Sequence, residues 1–530
     1  MKKLLILTTI IIVLCWATVG SADMQTDLVI KSFDDYLSYM KEGQYDQASA
    51  QWLSDYIYEV YKFGIVYTNA PYKYDCNSHL TEHLDEYKQD QLEITYTAMP
   101  SMYDVYKILV RYDDKGGDEN SEVEGEYYLM RGDDAGFYLA PNYWPLLPNM
   151  DTREGKYYKL YYNKEIQIND TALMHIDLLV DSMAENLQLS PQLLERLSMD
   201  KFNYFLCENA NQIALYAGKY IPGWHDPAGD FIVTNYLPHG MPMADFLIKY
   251  KLSELPLYTL PFMEKGLAVY LGGRAGADLG VFGQMVKFSL ESDFMKLEDI
   301  LAADDFEEKT GGPDFGYTLS AYFIAYLTKE FGIDKVLDIY LQSSGDREFV
   351  DSCSINTVKG ILEKQTGKTW YSLESGFGEY FKNVDFNIEL VEDTDGSILY
   401  QSGTPEVSVT LYENGDFLIL DAYSNNTGDT VNAAMLIGYP GATVTQNYRS
   451  SLFEKHFPEK QYDGQFYGLI FGPEELGVYN YLTNEIESKY ITSLSNPDEM
   501  LDPAHITFRI PKKLLPGDFD QLTMEIIELP

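Results

Sequence analysis

Cysteine is scarce in this chain: four residues among 530. Cys15, Cys76, Cys207 and Cys353 form no CxxC pair and no zinc-ribbon spacing, so those redox and structural-metal classes are excluded. Basic residues are also few, 39 against 82 acidic, for a net charge of −43. An excess of that size repels nucleic acid and anionic lipid, which removes both from the expected partners. After the first 19 residues there is no apolar run long enough to span a bilayer. The chain has no GxSxG elbow, no phosphate-cradling glycine loop and no Rossmann fingerprint. Internal repeats and low-complexity tracts are absent too.

What is present begins with a leader. Met1-Lys2-Lys3 supplies positive charge, Leu4 to Val19 is apolar, and Gly20-Ser21-Ala22 offers the small residues of a cleavage site. Residues 1–22 are therefore expected to be a secretory signal peptide, cut before Asp23. The alternative is an uncleaved N-terminal anchor. Losing Lys2 and Lys3 takes the net charge from −43 to −45. The product is expected to be exported, periplasmic or extracellular, with no stable membrane insertion. The three remaining cysteines allow one disulfide with a leftover thiol, or three separate buried thiols.

The length implies several cores. Residues 23–150 read as an α+β unit. Leu28, Phe33, Tyr36, Leu37 and Met40 recur at helical spacing, and Gly43 ends the pattern. Strand-like runs follow at Leu92–Tyr96, Val105–Val110 and Glu126–Met130, with a hairpin tip at 113–120. Met40 to Ala48 resembles the opening helix of cystatin-like, NTF2-type domains. Residues 155–384 start with the strand Tyr157–Tyr162, a helix over Thr171–Leu187 and the strand Phe231–Thr234. From Met241 to Phe381 the pattern is mainly helical. Residues 385–530 are β-rich. Val407–Leu411 and Phe417–Leu420 flank Asn414-Gly415, a hairpin signal, and a β-sandwich is expected.

Within the middle unit, Pro261-Phe262-Met263-Glu264-Lys265-Gly266-Leu267-Ala268-Val269-Tyr270 resembles the second zinc helix of gluzincin metallopeptidases, the peptidase MA-like group. Tyr317 to Leu327 with Glu330-Phe331-Gly332 resembles that family's next helix, and Trp370 to Phe381 its closing one. The likeness covers roughly the 230 residues of the unit. It implies that Glu264 occupies the third zinc-ligand position. It also implies that Gly266 and Ala268 let this helix pack close to the helix carrying HExxH, and that Tyr317 stands near the cleft. The departure lies upstream. An HExxH motif works because two histidines share a helix face with a glutamate base beside the metal-bound water. Here one register puts Met241 and Asp245 at the histidine positions and Pro242 at the base. The other starts at His239, with Gly240 at the base and Met243 second. Neither has two histidines or a general base, and methionine is a poor zinc ligand.

Three further motifs compete. His79-Leu80-Thr81-Glu82-His83 spells HxxEH, the inverted zincin pattern, with Glu154 or Glu165 as a distant third ligand. The plainer account is a histidine pair on a solvated helix. Asp393-Thr394-Asp395-Gly396 reads as a turn rather than a calcium loop. His225, in Gly223-Trp224-His225-Asp226-Pro227, reads as a turn residue.

The expectation is thus an exported metallopeptidase homologue without catalytic residues, binding a peptide, protein or glycan. Glu264 is its vestigial metal position, and His239, Asp245 and Tyr317 are its cleft candidates. No cofactor is expected, zinc being the alternative. Two other readings stand beside it: a zinc metallopeptidase with an atypical ligand set, and a structural or adhesive extracytoplasmic protein.

Overall fold

The computed structural model describes residues 25–76, 78–102, 104–114, 123–164, 168, 170–207, 213, 216, 223–226, 231–234, 239–273, 283, 286–287, 290, 295–303, 305–310 and 313–384. Beyond these it describes the strands between 397 and 528. The expected leader lies outside the described residues. The protein is a mixed α+β chain with several sheets.

Helix α1 spans residues 25–42 and ends at Gly43, whose φ of +71° suits a residue without Cβ. It packs on an antiparallel meander of β1 (Leu92–Met102), β2 (Val105–Asp114), β3 (Val123–Arg131) and β4 (Phe137–Ala140). The interface is aromatic. Phe33 meets Tyr96 edge-on at 4.9 Å and Tyr127 at 5.1 Å. Beneath it Asp75 is buried and accepts hydrogen bonds from Tyr36 and Tyr127.

A second, mixed sheet starts at Met150, before the expected start of the middle unit at 155. Its order is β5 (Met150–Glu154), β6 (Tyr158–Asn163), β7 (Phe202–Leu206), β9 (Phe231–Thr234), β8 (Gly223–Asp226). The pairs β6–β7 and β7–β9 are parallel and the outer pairs antiparallel. All five residues of β7 are buried, as a central parallel strand requires. Helix α2 (Asp170–Asn186) lies in the crossover from β6 to β7. His225, expected in a turn, pairs with Ile232 inside β8. Gly223 to Asp226 all pair with β9, so His225 stands within a strand.

Three helices then stack. They are α3 (Gly240–Leu252), α4 (Pro261–Gly272) and α5 (Pro313–Phe331), with α6 (Ile333–Gln342) behind them. Pro242 sits in the first turn of α3, where its missing N–H leaves no intrahelical bond unmade. Pro261 opens α4 in the same way, and Gly273 at φ +73° closes it. Both helices are buried on most sides, which explains their nearly continuous apolar sequence. One apolar core runs from Val29 to Phe381. The short strand Val66–Tyr67 pairs in parallel with Glu254–Leu255, and Asn69 hydrogen-bonds to Leu257 and Gly345. These contacts join the first unit to the second.

Beyond residue 396 the described strands form two antiparallel sheets, of four and five strands. The expected hairpin is present, with pairing that reaches Asn414 opposite Phe417. Among the described residues no helix is long and apolar enough to cross a membrane. No disulfide joins Cys76, Cys207 and Cys353, each of which is buried.

Candidate functional site

Asp245 lies in the second turn of α3, and Lys249 follows one turn later on the same face. The Lys249 Nζ donates to Asp245 Oδ2 at 2.7 Å and stands 3.9 Å from Glu264 Oε1 on α4. Lys265 brings its own Nζ to 3.3 Å from Glu264 Oε2. The side chains of Lys249, Asp245 and Glu264 are 7, 15 and 25 % exposed, so the bridge is largely shielded from water.

Burial pulls the Lys249 ammonium toward neutrality. The Asp245 and Glu264 carboxylates outweigh burial and hold it well above the usual lysine range. Lys265 is balanced in the same way: burial lowers it, Glu264 and Asp245 raise it more, and it ends above its ordinary value. Tyr340 reaches the same group from α6. Burial pushes its hydroxyl up, and it lies in the field of Lys249, Asp245 and Glu264.

The structure therefore brings Asp245 and Glu264 together, but through an ammonium. His239 is buried elsewhere, just past β9. Its Nδ1 is 3.0 Å from Thr234 Oγ1, and its backbone N–H donates to the Tyr204 hydroxyl at 3.1 Å. Tyr317 donates to Glu307 Oε1 at 3.0 Å and stays within electrostatic reach of Lys265. Pro242 and Met243 are buried and Met241 packs on the core.

One expectation from the resemblance is corrected. Gly266 does not face α3. A Cβ there would lie 2.7 Å from Ser320 Cβ, so Gly266 seats α4 on α5. The close approach to α3 is made by Gly272, where Gly240 and Gly272 touch backbone to backbone.

A divalent metal does not fit this group. Two unit charges 4 Å apart interact by about 4 kcal/mol near a protein surface, and a divalent ion doubles that. Here such an ion would face the Lys249 ammonium with two carboxylates and no imidazole to hold it. Among the described residues no three His, Cys, Asp or Glu side chains converge as metal ligands. Reading for ligand types missed Lys249, Lys265 and Tyr340. The Asp245–Lys249 spacing of four was the available signal.

The HxxEH segment is not a solvated helix. Leu80 and Leu84 are buried, and His79 stacks against His83 at 4.5 Å and Tyr112 at 4.6 Å. His79 is pulled down to about 4 by burial, then by His83 and Arg347. Glu154, one proposed third ligand, pairs instead with Lys201 at 2.9 Å. Glu165 and residues 393–396 lie outside the described residues. No family model matches the chain, and no curated protein matches it.

Proposed function

We propose that the chain is an exported, catalytically inactive homologue of gluzincin metallopeptidases. In this reading it binds an extracytoplasmic peptide, protein or glycan through the old cleft and a C-terminal β-sandwich. The observation that carries it is the Lys249 ammonium between Asp245 and Glu264. On the resemblance, those two residues fall at zinc-ligand positions. Two positive charges supplied by the chain itself, Lys249 and Lys265, balance the two carboxylates, so they have no need of a metal. Pro242, at the position of the general base, has no group that accepts a proton from water. The leader-like residues 1–22 support export.

The test is the zinc content of purified full-length protein beside Glu264→Gln, together with peptidase activity on a mixed peptide library. Equal zinc in both and no cleavage are expected. Zinc that disappears with Glu264→Gln, or cleavage abolished by that change, overturns the reading. N-terminal sequencing of the secreted product should begin at Asp23.

A further inference from the structure

We propose that the edge strand β1 pairs with its own counterpart in a second copy of this chain, antiparallel and centred on Thr95. In the four-stranded meander β1 is an outer strand, and among the described residues no strand pairs with its free side. The opposite edge is closed. Trp52 bridges to Leu139 of β4, and Leu139 donates to the Gln51 carbonyl and accepts from the Leu53 N–H. An open edge offers a row of backbone donors and acceptors to another strand, and chains usually blunt it with lysine, proline or a bulge. Here those devices lie only past Ala98, at Pro100 and in the irregular pairing between Pro100 and Met102. At the other end Asp90, with φ +60°, breaks the extended backbone. Leu92 to Ala98 is left unblunted, and it is rich in β-branched and aromatic residues.

Burial along the edge is incomplete. Ile94, Tyr96 and Ala98 lie on the α1 side and pack on the core, yet they are only half-buried, whereas Ile108, Val110 and Tyr112 beside them on β2 are buried. A sheet that continued past β1 would cover them. The sequence is self-complementary for that pairing. Asp90 and Pro100 stand equally far from Thr95, so the register that fits between them puts Thr95 opposite Thr95 of the second copy. On the α1 side Ile94 then faces Tyr96 and Leu92 faces Ala98, a β-branched residue against an aromatic one and an apolar pair. On the open side Glu93 faces Thr97, and no like charges meet. Moving the centre toward either end draws Asp90 or Pro100 into the ladder. A centre on Glu93 also sets two glutamates face to face.

The experiment is oxidative cross-linking of full-length Thr95→Cys beside Glu93→Cys and wild type, with sedimentation equilibrium of wild type and Thr95→Glu. Directly opposed residues have Cα atoms about 4.5–5.5 Å apart, within reach of a disulfide. The two Thr95→Cys thiols should therefore join the copies, while Cys76, Cys207 and Cys353 are buried and add little background. Two Glu93→Cys thiols would stand about 14 Å apart across the axis, too far to bridge. Wild type should self-associate as concentration rises, and more tightly as salt screens the repulsion between two acidic chains. Thr95→Glu should weaken association by about tenfold or more, because like charges then meet at the axis. Within its own chain position 95 lies opposite Arg111, so the new glutamate gains a favourable neighbour and the circular dichroism spectrum should not change. A wild type that stays monomeric throughout, or Glu93→Cys cross-linking as fast as Thr95→Cys, overturns the proposal. If Thr95→Glu does not fold, the two cysteine variants decide alone.

Discussion

Lys249 bridges two shielded carboxylates, Asp245 and Glu264, and removing it leaves Asp245 without its ammonium partner. Breaking a buried ion pair from one side costs about 3–5 kcal/mol. Lys249→Met should therefore lower the free energy of unfolding, read from urea denaturation, by an amount in that range. Lys265→Met, whose side chain is 35 % exposed, should cost only about 0–1 kcal/mol. Equal losses from both would mean that the bridge is not centred on Lys249. Buried tyrosines predict the alkaline limit. Tyr36, Tyr127 and Tyr204 are all raised, in each case first by burial. The folded chain then keeps protons that the unfolded chain releases near the ordinary value of about 10. Their contribution to stability is complete below about pH 10 and falls as pH rises further. The share of tyrosinate absorbance that comes from these buried residues should appear as a late step together with unfolding in an alkaline titration, not ahead of it. Asp245 and Glu264 were legible as a pair because a motif pointed to them. Lys249 was not, because a search for metal ligands passes over a lysine whose role is visible only when α3 and α4 are packed.

The three stacked helices depend on glycine at two contacts of different kinds. A Cβ on Gly240 would fall 1.9 Å from the Gly272 carbonyl oxygen, and backbone cannot step aside as a side chain can. Gly240→Ala should destabilise by at least the 1–3 kcal/mol typical of overpacking. Gly360, on the exposed face of the helix Ile355–Thr366, has nothing within 4 Å. Gly360→Ala should stabilise by about 0.5–1 kcal/mol. Thermal melts of the two variants must move in opposite directions. Period and turn chemistry made most elements legible: the helix over Thr171–Leu187 appears as α2, and the strand Phe231–Thr234 as β9. His225 was misread because a four-residue edge strand that opens on Gly223 looks like a loop when its partner is unknown. Gly266 was legible as a packing glycine but not as the partner of Ser320, since sequence shows that a helix is crowded and not which neighbour crowds it.

At the scale of the molecule, the scarcity of cysteine becomes a measurable property. Cys76, Cys207 and Cys353 are buried and separate. A thiol reagent should find none of the three in native protein and all three after denaturation without reductant. A disulfide between any two would reduce that count by two. The start of a second sheet near residue 150 was legible from the change of pattern. The continuity of the core across it was not, because the contacts that join the units are remote in sequence. Asn69 is the clearest case, since the backbone N–H it accepts from, Leu257, lies 188 residues downstream. At a synthesis rate of 5–20 residues per second, that separation is a delay of about 10–40 s. Throughout it the aromatic N-terminal region has been made and its partner strand has not. Any factor that shelters nascent chains would meet this protein first in that interval, with Val66 and Tyr67 still waiting for Glu254 and Leu255.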